Sequence, residues 1–276
     1  MRDTHSCLDT HLRYKDFSDG LNTLRSLEWL RPVLFLLALL VAWQLAVFLH
    51  PHQLMPGPWK TAHGIADLFP HGLIARYVVA SVFRVTWGFF LAVLVAIPLG
   101  LVIGWCQRFE LAVNPILQIL RPISPLAWIP IAILWFGVGD MAAIFLIFIG
   151  CFLPLLLAVI DAVRAVPAVY INAGRNFGLK PVALMRRVLY PAIVPRLMTG
   201  LRITLGIAWL VVVAAEMIAV NSGLGFLIVD ARNAGNRYDL VVAGMVIIGV
   251  VGLLLDYGVR SLERTSSLRW GFEEKR

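Results

Sequence analysis

Charged side chains are scarce in this sequence. Lys, Arg, Asp and Glu make up 14% of the 276 residues, whereas they make up about a quarter of an ordinary soluble domain, and hydrophobic residues reach 60%. So few charges cannot cover the surface of a water-soluble chain of this length. The composition therefore excludes an ordinary soluble protein and predicts an integral membrane protein.

Motifs of enzymatic chemistry are missing as well. The sequence has no G-x-x-x-x-G-K-[ST] loop for ATP, no G-x-S-x-G elbow and no H-E-x-x-H pair. The three cysteines form no C-x-x-C, and all six histidines precede residue 72, so we expect neither a cofactor nor a metal site. Although the net charge is +8, the sequence contains no run of five or six basic residues, which argues against nucleic acid as a partner. The chain is predicted not to be an enzyme.

Six apolar segments are long enough to cross a bilayer as helices. They cover residues 33–49, 85–106, 123–138, 141–160, 197–220 and 240–255. With the N-terminus placed in the cytoplasm, eighteen Lys and Arg residues fall in cytoplasmic pieces and four in outer loops. The positive-inside rule selects this orientation, which leaves both termini in the cytoplasm.

The connection between the fourth and fifth segments carries a structured pattern. It is far longer than the roughly 2–8 residues that join helices in a bundle. A proline precedes each of two predicted helices, 168–177 and 182–189, and Gly178 suits the left-handed position after the first. Pro191 and Pro195 are expected to mark the turn back into the bilayer. Two such helices could dock in a groove on another protein or lie on acidic lipid headgroups.

Five residues in the apolar segments are candidates for a translocation path or its gate. Glu216 is predicted to be either an outer-gate residue, hydrogen-bonded to a neighbouring helix or loop, or a solvated helix end. Arg202 could supply positive charge for an anionic substrate, or it could be structural. Trp128 and Trp135 would share a helical face with Ser124, and that face could line the path or serve packing.

The long connection resembles the EAA loop of ABC-importer permeases, which reads E-A-A, three residues, G, nine residues, I-x-L-P. The residues that match in position are Asn172-Ala173-Gly174, Gly178 and Val188-Leu189-Tyr190-Pro191. Asn172, Gly174 and Tyr190 depart from the usual residue types. In the family this loop forms the coupling helices that sit in a cleft of the ATP-hydrolysing subunit. The resemblance assigns that contact to Asn172, Ala173, Gly174, Gly178 and Pro191.

Other stretches are similar to the nitrate/sulfonate/taurine/bicarbonate branch of these permeases. They are residues 121–130, 134–137, 199–202, 214–218 and 223–226. The resemblance implies an all-α integral membrane protein with six transmembrane helices, one ahead of a five-helix ABC-importer type I core with a cytoplasmic coupling helix. The implied parts are a leader (1–31), a first transmembrane helix (32–50), an outer loop (51–77), the type-1 domain (78–262, with its coupling loop at 164–195) and a cytoplasmic tail (263–276).

The same resemblance implies a function and partners. The chain would be the membrane-spanning permease subunit of an ATP-driven importer in a bacterial cytoplasmic membrane, moving a small anionic solute. Its partners would be ABC ATPase subunits, a second permease copy, a periplasmic or lipid-anchored binding protein, and membrane lipid. One alternative is a secondary transporter or channel that works without an ATPase, and another is a scaffold that only anchors a partner.

Overall fold

The computed structural model of the chain describes residues 30–49, 55–69 and 72–263. The predicted leader (1–31) and tail (263–276) lie almost wholly outside these ranges. The described part is helical and contains no β-strand. This confirms the predicted all-α class.

Eleven α-helices follow one another in the described part. They are α1 (Leu30–Leu49), α2 (Pro58–Leu68), α3 (Leu73–Trp105), α4 (Gln107–Leu120), α5 (Ile129–Phe136), α6 (Asp140–Arg164), α7 (Ala168–Asn176), α8 (Pro181–Leu184), α9 (Tyr190–Ala219), α10 (Leu224–Asn233) and α11 (Tyr238–Glu263). A 3-10 turn, Pro125–Trp128, precedes α5, and a π turn, Met185–Leu189, joins α8 to α9.

Five of these elements are long and apolar enough to cross a membrane. They are α1, α3, α6, the continuous helix from α8 to α9, and α11. A sixth crossing exists if α4 and the segment Pro125–Phe136 form one bent span. The predicted segments all fall within these elements or the bent pair, apart from a residue or two at the ends, although α3 begins well before the predicted start at residue 85.

The predicted third segment, 123–138, corresponds to the second half of this bent pair. The helix axis turns by 83° between α4 and Pro125–Phe136. Pro122 and Pro125 have no backbone N–H, so a regular helical hydrogen-bond ladder does not continue from α4 through them. The hydroxyl of Ser124 instead accepts a hydrogen bond of 3.3 Å from the N–H of Leu126 and starts the 3-10 turn. The pair is bent at the break between Leu120 and Pro125.

The prediction that the chain turns at Pro191 and Pro195 is wrong. Residues Pro181–Ala219 form one helix of 39 residues. Both prolines lie within this continuous helix: Pro191 follows the π turn directly, at the start of α9, and Pro195 lies inside α9. The π turn just before Pro191 is a local adjustment of the helical ladder.

The described residues fall into two compact units, divided between His63 and Gly64. In the first, most side chains of α1 are exposed, and the hydroxyl of Thr61 donates to the carbonyl of Gly57 at 3.1 Å. The second unit contains the helical core.

Close packing of α3 on α6 organises this core. The contact runs along small residues at every fourth position of α3, namely Gly88, Ala92, Ala96, Gly100 and Gly104. A Cβ atom at Gly88 would lie 2.6 Å from the Cβ of Ile147, and one at Gly100 would lie 2.7 Å from the Cβ of Val159. The two helices therefore run in the same direction with their backbones in close approach.

The bundle has two distinct ends. We call the end that carries residues 165–189 the loop end and the other the opposite end. Both α3 and α6 run from the opposite end to the loop end, and α9 runs back. The short helix α10 follows α9 at the opposite end and packs on α9 and α11.

Candidate coupling loop and translocation path

The end of α7 confirms the predicted left-handed glycine. Gly178 has φ 73°. Its N–H donates to the carbonyl of Arg175 at 2.9 Å, and the N–H of Leu179 donates to the carbonyl of Gly174 at 3.1 Å. These two bonds form the Schellman motif, which closes a helix at a left-handed residue. No described atom lies within 4 Å of a Cβ built on Gly178, so backbone strain and not crowding requires glycine there.

The opposite face of α7 is held against α8. Gly174 is buried, and a Cβ on it would overlap the Cδ1 of Leu184, which is itself buried. The same Cβ would lie 3.3 Å from a methyl group of Val188. Glycine at the second alanine position of the EAA pattern therefore lets Leu184 pack directly on the backbone of α7. The structure places Gly174 beneath the loop rather than on its surface.

The loop exposes apolar surface. Asn172 and Ala173 are exposed, and two neighbouring side chains are unusually accessible: Phe177 is 86% exposed and Val182 is 81% exposed. We call the exposed side chains Val169, Tyr170, Phe177 and Val182 the loop patch. An exposed apolar patch beside polar residues marks an interaction surface. Sequence reasoning missed Phe177 and Val182, although both lie close to Gly178 in the sequence.

A cavity of about 710 Å³ separates α7 from the end of α6 and the start of α9. Most of its lining is apolar and includes Tyr170, Phe177 and Pro191, while Arg187 and Arg196 supply its positive charge. Pro191 thus lies half-buried in the wall of this cavity. Its predicted part in the contact with an ATPase stays a prediction.

A buried ion cluster joins four helices near the opposite end. Arg84 of α3 is 1% exposed and donates from Nη1 to Glu216 Oε1 at 2.7 Å. It also donates from Nε and Nη2 to Asp140 Oδ1 at 2.8 and 2.7 Å. The carbonyl and the hydroxyl of Ser222 accept the remaining hydrogens at 2.8 and 2.5 Å. All five donors of the guanidinium are used, which is what a buried arginine requires.

Glu216 is enclosed by the backbone that follows α9. Its Oε2 accepts 2.9 Å hydrogen bonds from the hydroxyl of Ser81 and from the N–H of Gly225. The hydroxyl of Ser81 in turn accepts a 3.0 Å bond from the N–H of Leu224. A Cβ at Gly223 would overlap the carboxyl group, which explains the glycine there. The interpretation of Glu216 as a solvated helix end is wrong, and its bonding to a neighbouring helix and loop is confirmed; its role as a gate stays a prediction.

Of the three charged residues in the cluster, one reaches the surface. The side chain of Asp140, at the first turn of α6, is 57% exposed, whereas those of Arg84 and Glu216 are buried. Sequence reasoning missed Arg84 and Asp140. The available signal was a single arginine in the first half of a long apolar helix, since a charge at membrane depth needs a partner.

Arg202 pairs with an acid on α11. Its Nε donates to Asp256 Oδ1 at 2.9 Å, and the other carboxylate oxygen of Asp256 accepts from Arg260 Nε at 2.8 Å. This network supports the structural alternative for Arg202. Because its charge is compensated, a role in attracting an anionic substrate has no support in the geometry and stays a prediction.

The third-segment candidates do not share one helical face, because the span is broken. Ser124 precedes the 3-10 turn, Trp128 ends it and is half-buried against the core, and Trp135 lies in α5 and is 62% exposed. The indole ring of Trp135 meets the ring of Phe145 edge-on, with centroids 5.7 Å apart. Whether any of the three lines a path stays a prediction.

The break itself opens a cavity of about 460 Å³ beside α6. We call it the α6 cavity, and its lining is Arg121, Ile123, Pro125, Ile149, Gly150, Leu153, Pro154, Leu157, Ala158 and Asp161. Gly150 permits the approach of Pro125, whose ring would lie 3.3 Å from a Cβ at that position. Non-helical backbone at membrane depth is stable only where protein buries it or where it borders a wet cavity. The α6 cavity, between mid-span and the loop end, is therefore the candidate path within this chain.

Comparison with known proteins identifies the family from the sequence, and solved structures show a similar fold. A family model described as "Binding-protein-dependent transport system inner membrane component" matches residues 96–267. An inward-facing structure of the MetNI methionine ABC transporter is similar in fold. The match has a TM-score of 0.64 and 20% identity over 72% of this chain and 97% of that chain, and it shows the fold alone.

Relatives by sequence are permeases of the same kind. A protein of Methanocaldococcus jannaschii that carries the name of an ABC transporter permease is 43% identical over 73% of this chain and 75% of its own. The taurine transport system permease of Escherichia coli is 35% identical over 71% of each chain. The nitrate import permease of a Synechocystis strain is 35% identical over 91% of this chain and 94% of its own. The chain belongs to the binding-protein-dependent inner-membrane permeases, in their nitrate/sulfonate/taurine/bicarbonate branch.

Proposed function

We propose that this chain is the membrane-spanning permease subunit of an ATP-driven importer and that it works as one of two permease copies. ABC ATPase subunits bind its loop end in the cytoplasm, and a periplasmic or lipid-anchored binding protein delivers solute at the opposite end. Both termini lie in the cytoplasm, as the distribution of basic residues favours. The type-1 domain spans 78–262, with the coupling loop at 164–195.

The loop patch is the observation that carries this proposal. Phe177 and Val182 expose apolar surface on a short element that is held in place by the packing of Gly174 on Leu184. Such a surface loses its contact with water when a partner covers it, and each large side chain that is buried adds about 1.5–3 kcal/mol. The rigid inner face means that a force on α7 reaches α8 and, through the continuous helix, α9.

The continuous helix gives the loop its mechanical effect. Residues Pro181–Ala219 run without interruption from the loop patch to Glu216. At about 1.5 Å per residue such a helix is roughly 58 Å long, more than the thickness of a bilayer. A tilt imposed at the loop end therefore displaces the opposite end, where the Arg84 cluster joins α9 to α3, α6 and the α10 turn.

The transported solute in this proposal is small and carries an anionic group. The relatives named above carry the words taurine and nitrate, and the α6 cavity contains an arginine. The reaction is alternating access: ATP binding closes the partner subunits, the loop moves, and the path between two permease copies opens first to one side and then to the other.

Co-purification tests the proposal directly. The chain is expressed together with a candidate ABC ATPase subunit from the same genome, and the ATPase recovered with the tagged permease is measured. We expect a stoichiometric complex from the parent chain and less than a tenth of that amount from Phe177→Asp. Phe69→Asp, a change at another exposed aromatic residue far from the loop, is the control and should leave the complex intact. Equal recovery from Phe177→Asp and the parent would exclude docking at the loop patch.

A further inference from the structure

Two opposite charges face the α6 cavity without meeting each other. Arg121 lies at the end of α4, and Asp161 lies on α6 near the loop end. Neither side chain has a hydrogen bond or an ion pair with any described residue. By contrast, Arg84, Arg164 and Arg202 are each paired with an acid on another helix. Both side chains are exposed and line the cavity, so both are accessible to a solute that enters it.

The two charges come from different walls of the cavity. One wall is the broken segment from Arg121 to Pro125, and the other is the face of α6 from Ile149 to Asp161. Between them the lining is apolar and comes mainly from Ile123, Leu153 and Leu157. A volume of about 460 Å³ lies within the usual range for small-molecule sites, roughly 300–1,000 Å³.

This arrangement suits a solute that carries both charges. A sulfonate or carboxylate accepts two parallel hydrogen bonds from a guanidinium, which makes Arg121 a suitable partner for an acid group. An ammonium group on the same solute would balance Asp161, and a short carbon linker would contact the apolar wall. A simple inorganic anion has nothing to offer Asp161 and is repelled by it.

We infer that the α6 cavity is a binding site for an amino-substituted organic acid, with the acid group on Arg121 and the ammonium on Asp161. The inference rests on the proposed function, because it places the solute on the path of that importer. It also divides the solutes named in this family into two classes: zwitterionic organic acids fit this chain, and nitrate or bicarbonate do not.

Equilibrium dialysis of the purified permease–ATPase complex, without its binding protein, tests the inference. The probes are taurine, ethanesulfonate, which lacks the amine, and nitrate. We expect the parent complex to bind taurine at least about tenfold more tightly than either of the others, the difference one charged contact makes. This comparison needs no variant and so does not depend on the folding of one.

Two substitutions assign the contacts. Asp161→Asn should remove most of the preference for taurine over ethanesulfonate, while Arg121→Gln should weaken both sulfonates about tenfold. The matched controls are Asp230→Asn and Arg108→Gln, exposed residues outside the cavity, which should change neither affinity. ATP hydrolysis by each complex shows whether the variant has assembled.

Three results would overturn the site: equal binding of taurine and ethanesulfonate by the parent, an unchanged preference in Asp161→Asn, or no saturable binding of any probe. Uptake into liposomes, measured separately with the binding protein present, reports on the proposed function. ATP-driven uptake together with any of these three results would exclude the binding site but not the proposed importer function. Uptake that needs no ATPase would exclude the importer function itself.

Discussion

The guanidinium of Arg84 and the carboxylate of Glu216 lie 2.7 Å apart in the buried part of the bundle, although 132 positions separate them in the sequence. Asp140 and the backbone of Ser222 complete the coordination of the arginine. The pair therefore fixes α9 and the turn before α10 to α3, at the end of the bundle remote from the coupling loop.

Removal of Arg84 should destabilise the protein more than any exposed charge does. Arg84→Gln leaves Glu216 buried without its cation, and breaking a buried pair in this way costs about 3–5 kcal/mol. The measurement is the thermal melting temperature of the purified complex in detergent, followed by tryptophan fluorescence. Arg76→Gln, an exposed change on the same helix, is the control. Equal melting temperatures for the two variants would show that the cluster contributes little.

Neutralisation of Glu216 should affect transport more than folding. Glu216→Gln keeps an oxygen to accept from Gly225 and Ser81 but weakens the tie to Arg84, which retains Asp140. If the cluster holds the opposite end closed, ATP hydrolysis should continue while solute uptake per ATP falls several-fold. The assay is uptake and hydrolysis by the same liposomes. Unchanged uptake per ATP would eliminate a gating role for Glu216.

Substitution of Gly178 should impair coupling through the backbone. At φ 73° an alanine costs about 1–2 kcal/mol locally, whereas asparagine tolerates this conformation better. We therefore expect ATPase recovery and coupled uptake to fall in the order Gly, Asn, Ala, with Gly178→Trp lowest because it also adds bulk beside the loop patch.

Gly206→Ala is the control for that series. A Cβ at Gly206 also meets no described atom within 4 Å, but the residue lies inside α9 with a helical conformation. Alanine there should be neutral or stabilise the helix by up to about 1 kcal/mol. If Gly206→Ala and Gly178→Ala gave the same ATPase recovery and the same coupled uptake, the left-handed turn would have no special role in coupling.

The close approach of α3 and α6 should tolerate no added atoms at Gly88. Gly88→Ala places a methyl group against Ile147 and should cost about 1–3 kcal/mol through overpacking. Gly249→Ala, where a Cβ meets no described atom within 4 Å, is the matched control on α11. A melting temperature for Gly88→Ala equal to that of the control would show that the two helices separate readily.

Local features of the fold could be predicted from the sequence, and the reason is physical. Hydropathy over about twenty residues identifies a membrane-spanning helix because lipid allows almost no other backbone structure. The left-handed turn at Gly178 was predictable because it depends on one residue type and its immediate neighbours.

The sequence predicted proline effects less well. Pro191 and Pro195 are predicted to mark a turn of the chain, but both lie within the helix that runs on from α8, and the π turn before Pro191 adjusts its hydrogen-bond ladder. Hydropathy does not locate the break between α4 and Pro125, because apolar residues continue on both sides and hydropathy does not depend on backbone hydrogen bonds.

Partnerships between distant residues could not be predicted at all. Nothing in the local pattern around Arg84 names Glu216 or Asp140 as its partners, since these contacts depend on how three helices pack. The same holds for the α6 cavity, which Arg121 and Asp161 both line only because the segment after α4 lies beside α6.

Solute uptake into liposomes, with and without ATP trapped where the ATPase can reach it, tests the central claim most directly. The complex of permease, ATPase and binding protein should accumulate solute only when ATP is present, and the permease alone should accumulate none. Equal uptake by the permease alone, without nucleotide or ATPase, would contradict the account.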